Sequence, residues 1–183
     1  LRTNRANALI ALFRKDRRLD SAEDIYRKIV EQARKPNFYA ELGVPDTVDG
    51  RFELVALHAF LVLRRLKPGA GGKGDIGQAL FDVMFEDMDL SLREMGAGDM
   101  GVGKRVKAMV QAFYGRVASY EAGLSAEGRE LEEALARNLY GTTEPAPESV
   151  SALAAYVRSQ DAYLAKLDVS AVQTGDFAFG PLT

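Results

Sequence analysis

Apolar residues recur at helical spacing along almost the whole 183-residue chain, and the alternating Val- and Thr-rich runs that would form strands are missing. That pattern predicts a single compact all-α domain of about seven helices with a short extended C-terminal tail. With 47% of its residues apolar, a chain of this length can bury one substantial core. Helices are expected near residues 4–16, 21–34, 48–66, 75–95, 99–123, 126–140 and 147–167. Ser21 with Asp24 three residues on resembles a capping box, and Asp75, Asp99 and Ser125 are each suited to cap the helix that follows. PGAGGKG (68–74) and TTEPAP (142–147) read as connectors. These boundaries divide the chain into a basic amphipathic N-terminal helix (1–20), a helical domain (21–168) and a tail (169–183).

Several function classes are excluded or weakened by what the chain lacks. It has no Cys, so there is no disulfide framework, thiolate nucleophile or Cys zinc site; this fits a reducing compartment, with cytoplasm the simplest expectation. No apolar run reaches the roughly 18–20 residues that span a bilayer, and LVALHAFLVL (54–63) reads as a buried helix. The N-terminus shows neither a secretory cleavage site nor an Arg- and Ser-rich transit peptide. The formal charge of −2 gives no overall attraction to nucleic acid, and no nucleic-acid specificity is expected. The charge is unevenly spread, however. Residues 1–35 carry ten Lys and Arg against five acids, whereas residues 81–100 carry six acids and one Arg. Such polarity suits a surface that meets partners.

From Gly98 the chain reads G-D-M-G-V-G-K-R, one residue short of a phosphate-binding loop, with Arg105 where the magnesium-binding hydroxyl should be. A helix rather than a strand precedes it, so a helix-helix turn is expected, with Gly96 left-handed and Asp99 opening the next helix. The acids Asp82, Glu86, Asp87 and Asp89 cannot form a di-iron bundle site, which needs a Glu-x-x-His motif on two helices; this chain has one His. No metal or cofactor is expected.

By helical angle, Asp82, Glu86, Asp89 and Arg93 share a narrow sector, while Phe81, Phe85, Met88, Leu92 and Met95 fall on a broad apolar arc. So wide an arc needs several covering neighbours or a partner. Asp87 and Asp161 point in apolar directions and are expected as buried carboxylates, paired with an Arg or with helix N-terminal amides. His58, inside an apolar helix, reads as a satisfied core histidine. The basic N-terminus sets Leu9 and Phe13 beside Arg5, Arg14, Lys15, Arg17 and Arg18, a pattern that suits either an anionic membrane interface or docking on the domain.

Two long runs carry a family likeness. FYAELGVPDTVDGRFELVALHAFLVLRRL (38–66) and QALFDVMFEDMDLSLREMGAGDMGVGKRVKAMVQAFYGR (78–116), with ARNLYG (136–141) and the leading LFRKDRR and IYRKIVEQAR, resemble the ubiquinol-cytochrome c chaperone family from about Leu12 to Gly141. The resemblance implies a non-enzymatic assembly factor for the cytochrome bc complex that holds newly made cytochrome b until haem and later subunits join. It implies a bacterial form at the cytoplasmic face of the inner membrane, with the ribosome or that membrane surface as further contacts. Mitochondrial members act with a smaller partner; whether this chain has one stays open. The family offers no catalytic motif to carry over. On this reading Phe81, Phe85, Met88, Leu92 and Met95 form the apolar part of the client surface, with Asp82, Glu86, Asp89 and Lys104 at its edge. Two alternatives remain: a membrane-surface scaffold, and a helical enzyme handling a quinone or haem intermediate through His58 and a buried Asp.

Overall fold

A computed structural model describes residues 3–66, 76–96, 98–141 and 143–181, with side chains from residue 17 onward except 99 and 100. Every regular element among them is helical: α1 (Thr3–Ala33), α2 (Asn37–Ala40), α3 (Val48–Leu66), α4 (Ile76–Glu94), α5 (Asp99–Ser125), α6 (Glu130–Leu139), α7 (Pro147–Lys166) and α8 (Val169–Gln173). The all-α expectation holds, in one domain built around α3.

Between Phe52 and Leu63 α3 is apolar on every side except at Glu53 and His58. Residues 52–62 are all buried, including Glu53 and His58, and α3 touches α1, α4, α5, α6, α7 and α8. A helix apolar all round must sit inside a protein, because no face of it is suited to water. Its start is fixed by Thr47, whose Oγ1 accepts a hydrogen bond from Gly50 N at 3.1 Å. α1 and α5 then pack on either side of α4.

Four local expectations change. α1 is one helix of 31 residues rather than two, so the division at residue 20 falls inside it. No Gly or Pro interrupts residues 15–24, and Asp24 pairs with Arg27 one turn on instead of serving a capping box. Ser125 closes α5 rather than capping α6: its hydroxyl donates to Glu121 O at 2.9 Å, and α6 begins only at Glu130. Asp99 is the first residue of α5, not its cap, a position held by Gly98. The tail is partly helical: Asp168 caps α8, accepting from Ser170 N at 3.0 Å, before an extended stretch lies along the domain with Phe177 buried. Asp75 and the 68–74 connector lie outside the described residues.

Gly96 ends α4 with φ +85°, and α5 begins at Asp99. G-D-M-G-V-G-K-R therefore opens a helix instead of looping between a strand and a helix: Gly98 is the N-cap, and the amides of Gly101 and Val102 already donate to Gly98 O at 2.8 and 3.0 Å. It does not form a phosphate nest.

Candidate functional site

The broad apolar arc of α4 is divided among different surroundings. Phe85 and Leu92 are core residues, Phe81 and Met88 are half-buried, and Met95 is 55% exposed. Phe81 faces α5. Its ring lies 4.6 Å from that of Phe85 and 5.7 Å from Tyr114, and it lines a cavity of about 280 Å³ with Phe60, Leu63 and Val117. Met88, Leu92 and Met95 instead line a groove of about 190 Å³ with Tyr26 and Val30 of α1, Tyr39, Val48 of α3 and Met109 of α5. Phe81 and the methionines are thus not in one site. Val48, 57% exposed, lines the same groove as Met95.

Arg34, Arg51 and Asp87 rim this groove. Asp87 is exposed, not buried, and accepts a hydrogen bond from the Tyr26 hydroxyl at 2.7 Å. Burial first, and then the Asp87 carboxylate, push the Tyr26 hydroxyl well above the ordinary tyrosine value. Arg51 is held outward by Asp46 at 2.6 Å. On the outer face of α4, Asp82 accepts from Gln78 at 2.7 Å and Asp89 pairs with Arg93 at 2.5 Å. Glu86 and Lys104 are exposed.

A second, more polar cavity of about 570 Å³ adjoins the groove; Phe52 and Met109 line both. Arg116 of α5 makes a bidentate ion pair with the buried Glu53 of α3 on its wall. Burial pushes the Glu53 carboxyl up, and the Arg116 guanidinium partly reverses that. Arg137 and Asn138 of α6 complete the cavity with Asp49, Thr143 and the 139–141 backbone. Tyr140 sends its hydroxyl to Leu42 O at 2.7 Å; burial pushes its pKa up to about 12. Sequence reasoning passed over this cavity. The available signal was Glu53, a carboxylate inside the run FELVALHAFLVL.

His58 lies elsewhere, fully buried between α1, α7 and the tail. Its Nδ1–H donates to Leu54 O at 2.7 Å, and its Nε2 accepts from the Tyr156 hydroxyl at 2.7 Å. Gln32 Nε2 in turn donates to Tyr156 at 2.8 Å, while Phe38 and Phe179 meet the imidazole edge to face. Both ring nitrogens are used. Asp161 is half-buried and accepts from Arg64 Nε at 2.8 Å, the Arg pairing expected of it. Glu121 takes the other side of the same guanidinium at 2.5 Å, so Arg64 ties α3 to α5 and α7. Among the described residues, no three acidic or histidine side chains converge as metal ligands, and no helix is long and apolar enough to cross a membrane. At the N-terminus Arg17 is exposed and Arg18 half-buried; the side chains of Arg5, Leu9, Phe13, Arg14 and Lys15 lie outside the described residues.

Known proteins align with this arrangement over most of its length. The crystal structure of the Cbp3 homolog from Brucella abortus superposes with a TM-score of 0.81 at 37% identity, covering 95% of this chain and 97% of that one. Ubiquinol-cytochrome-c reductase complex assembly factor 1 of Xenopus laevis is 29% identical over 160 residues, 86% of this chain and 80% of that protein. Protein CBP3, mitochondrial, of Saccharomyces cerevisiae is 27% identical over 149 residues, and there this chain spans 44% of the relative's length. Against the mouse assembly factor it spans 54%. The Xenopus and mouse relatives are named as assembly factors, not as enzymes. The match to the ubiquinol-cytochrome C chaperone family runs over residues 40–179, taking in α3 to α8 and the polar cavity but not the α1 wall of the groove, and this chain belongs to that family.

Proposed function

We propose that this chain is an assembly chaperone for ubiquinol-cytochrome c reductase, that newly made cytochrome b is its client, and that the methionine-lined groove between α1, α3, α4 and α5 receives an apolar client helix. Family membership supports the complex it serves. The observation that carries the groove is the pairing of exposed Met95 and Val48 above half-buried Met88 and Met109. Thioether side chains are unbranched and polarizable, so they adapt to differing apolar partners, and an apolar helix face laid in such a groove is a recurring mode of recognition. The charged rim of Arg34, Arg51 and Asp87 limits the contact to the groove itself.

The test uses the exposed positions, because Leu92 is core and its replacement by Ser would unfold the protein. In Met95→Asp/Val48→Asp the fold should survive with stability changed by about 0.5 kcal/mol per site. Cytochrome b captured with the tagged chain from gently solubilised native cells should fall several-fold relative to wild type. Undiminished capture by a folded double variant would remove the groove from the client surface. Absence of cytochrome b from the wild-type capture, with other membrane complexes intact, would remove the client.

A further inference from the structure

We propose that the client groove is a peroxide-sensitive switch, in which oxidation of the Met95 thioether to its sulfoxide weakens the hold on an apolar client and reduction restores it. This rests on the groove reading above and adds how that site is regulated. The chain has no Cys, so its oxidisable sulfur lies in five methionines, and three of them, Met88, Met95 and Met109, line one groove. Their surroundings differ. Met95 is 55% exposed, Met88 and Met109 are half-buried, and Met84, one turn before Met88 on the same helix, is fully buried in the core. The side chain of Met100 lies outside the described residues. Peroxide reaches sulfur through water, so among the four described thioethers Met95 is the most open to it and Met84 the least. In the step, a sulfur lone pair attacks one oxygen of hydrogen peroxide and the O–O bond breaks. The departing hydroxide takes the proton left on the transferred oxygen and leaves as water. Sulfur is oxidised by two electrons and peroxide is reduced by two. The product replaces a soft apolar side chain with a polar S=O group. The apolar face of a client helix offers that oxygen no donor, so covering it carries a desolvation cost that the thioether does not have.

The experiment treats the full chain with dilute hydrogen peroxide and follows each methionine by peptide mass spectrometry, in which fragment ions separate Met95 from Met100. The ligand probe is a fluorescent helical peptide with leucines at i, i+3, i+4 and i+7. Once Met95 has converted and Met84 has not, peptide affinity should have fallen about fivefold. The denaturation midpoint should stay in place, because Met95 is not in the core. Methionine sulfoxide reductases for both sulfoxide epimers, with a thiol reductant, should restore the affinity. Met95→Leu is compared with itself: whatever its starting affinity, the same peroxide exposure should leave it unchanged. Affinity that holds while Met95 is fully converted, or that falls equally in Met95→Leu, overturns the switch and spares the groove. Conversion of Met84 as fast as Met95 overturns the switch as well. Failure of the peptide to bind the reduced, folded wild type overturns both, since the leucine face alone should engage the methionines.

Discussion

Gly50→Ala should cost about 3–4 kcal/mol, a large part of the stability of a domain this size. A Cβ at residue 50 would stand 2.0 Å from the carbonyl oxygen of Pro45 and 3.1 Å from its carbon. The obstacle is backbone, in a segment stiffened by proline, so no side chain can rotate out of the way. Relief requires the start of α3 to move, and with it the Thr47 cap on Gly50 N, worth about 1 kcal/mol. Because α3 touches almost every other helix, the shift cannot stay local. Gly115→Ala in α5 is the matched control: an added Cβ there meets nothing within 4 Å, and helix propensity alone should stabilise the protein by up to about 1 kcal/mol. Denaturant midpoints of the two variants should move in opposite directions. A Gly50→Ala protein as stable as wild type would mean that the approach of Pro45 to α3 is not part of the native packing.

Acidification should destabilise the protein through its one histidine. In the unfolded chain His58 titrates near 6.5; in the folded protein burial above all, with Lys35 adding to it, lowers the pKa to about 4, although the Leu54 carbonyl acts the other way. Above pH 6.5 the ring is neutral in both states and the fold keeps its full stability. Between pH 6.5 and 4 the unfolded chain takes up a proton that the folded protein refuses, so stability falls as pH falls. The total is about 3 kcal/mol. Carboxylates also titrate in this window, so the direct measurement is the imidazole NMR signal, unique in this sequence. It should stay in its neutral position down to about pH 5 while the denaturation midpoint drops. An imidazole midpoint near 6.5 in the folded protein would show that the ring reaches water. Tyr156→Phe should lower stability at neutral pH by about 2–4 kcal/mol, since it orphans both His58 Nε2 and Gln32 Nε2.

Periodicity located α3, α4, α5 and α7 within a few residues, because each carries a long apolar stripe and is bounded by Gly or Pro. It failed at Ser21, where a capping pattern occurs inside a helix: Ser and Asp cap only where the chain turns out of the helix, and neighbouring packing decides that. It failed again at Asp87. A helical wheel gives its direction, but whether that direction ends in core or at the margin depends on how α1 lies against α4, and there the Tyr26 hydroxyl of α1 meets it at the margin. The family likeness was legible in residues 38–66 and 78–116. The groove and the polar cavity were not, since each assembles single residues from three or more helices far apart in sequence, such as Val48 with Met95 or Glu53 with Arg137. What marked them in advance was only Glu53 inside an apolar run and Met88 and Met95 on the broad arc of α4.

The junction around His58 draws residue 32 from α1, residue 156 from α7 and residue 179 from the tail onto a ring at residue 58. A ribosome delivers these pieces in order, and the ring waits through more than a hundred further residues before its last neighbour is made. During that interval the apolar stretch of α3 has no complete cover and must rely on partial collapse or on other chaperones. A protein proposed to shelter an unfinished apolar chain therefore passes through the same exposed condition during its own synthesis.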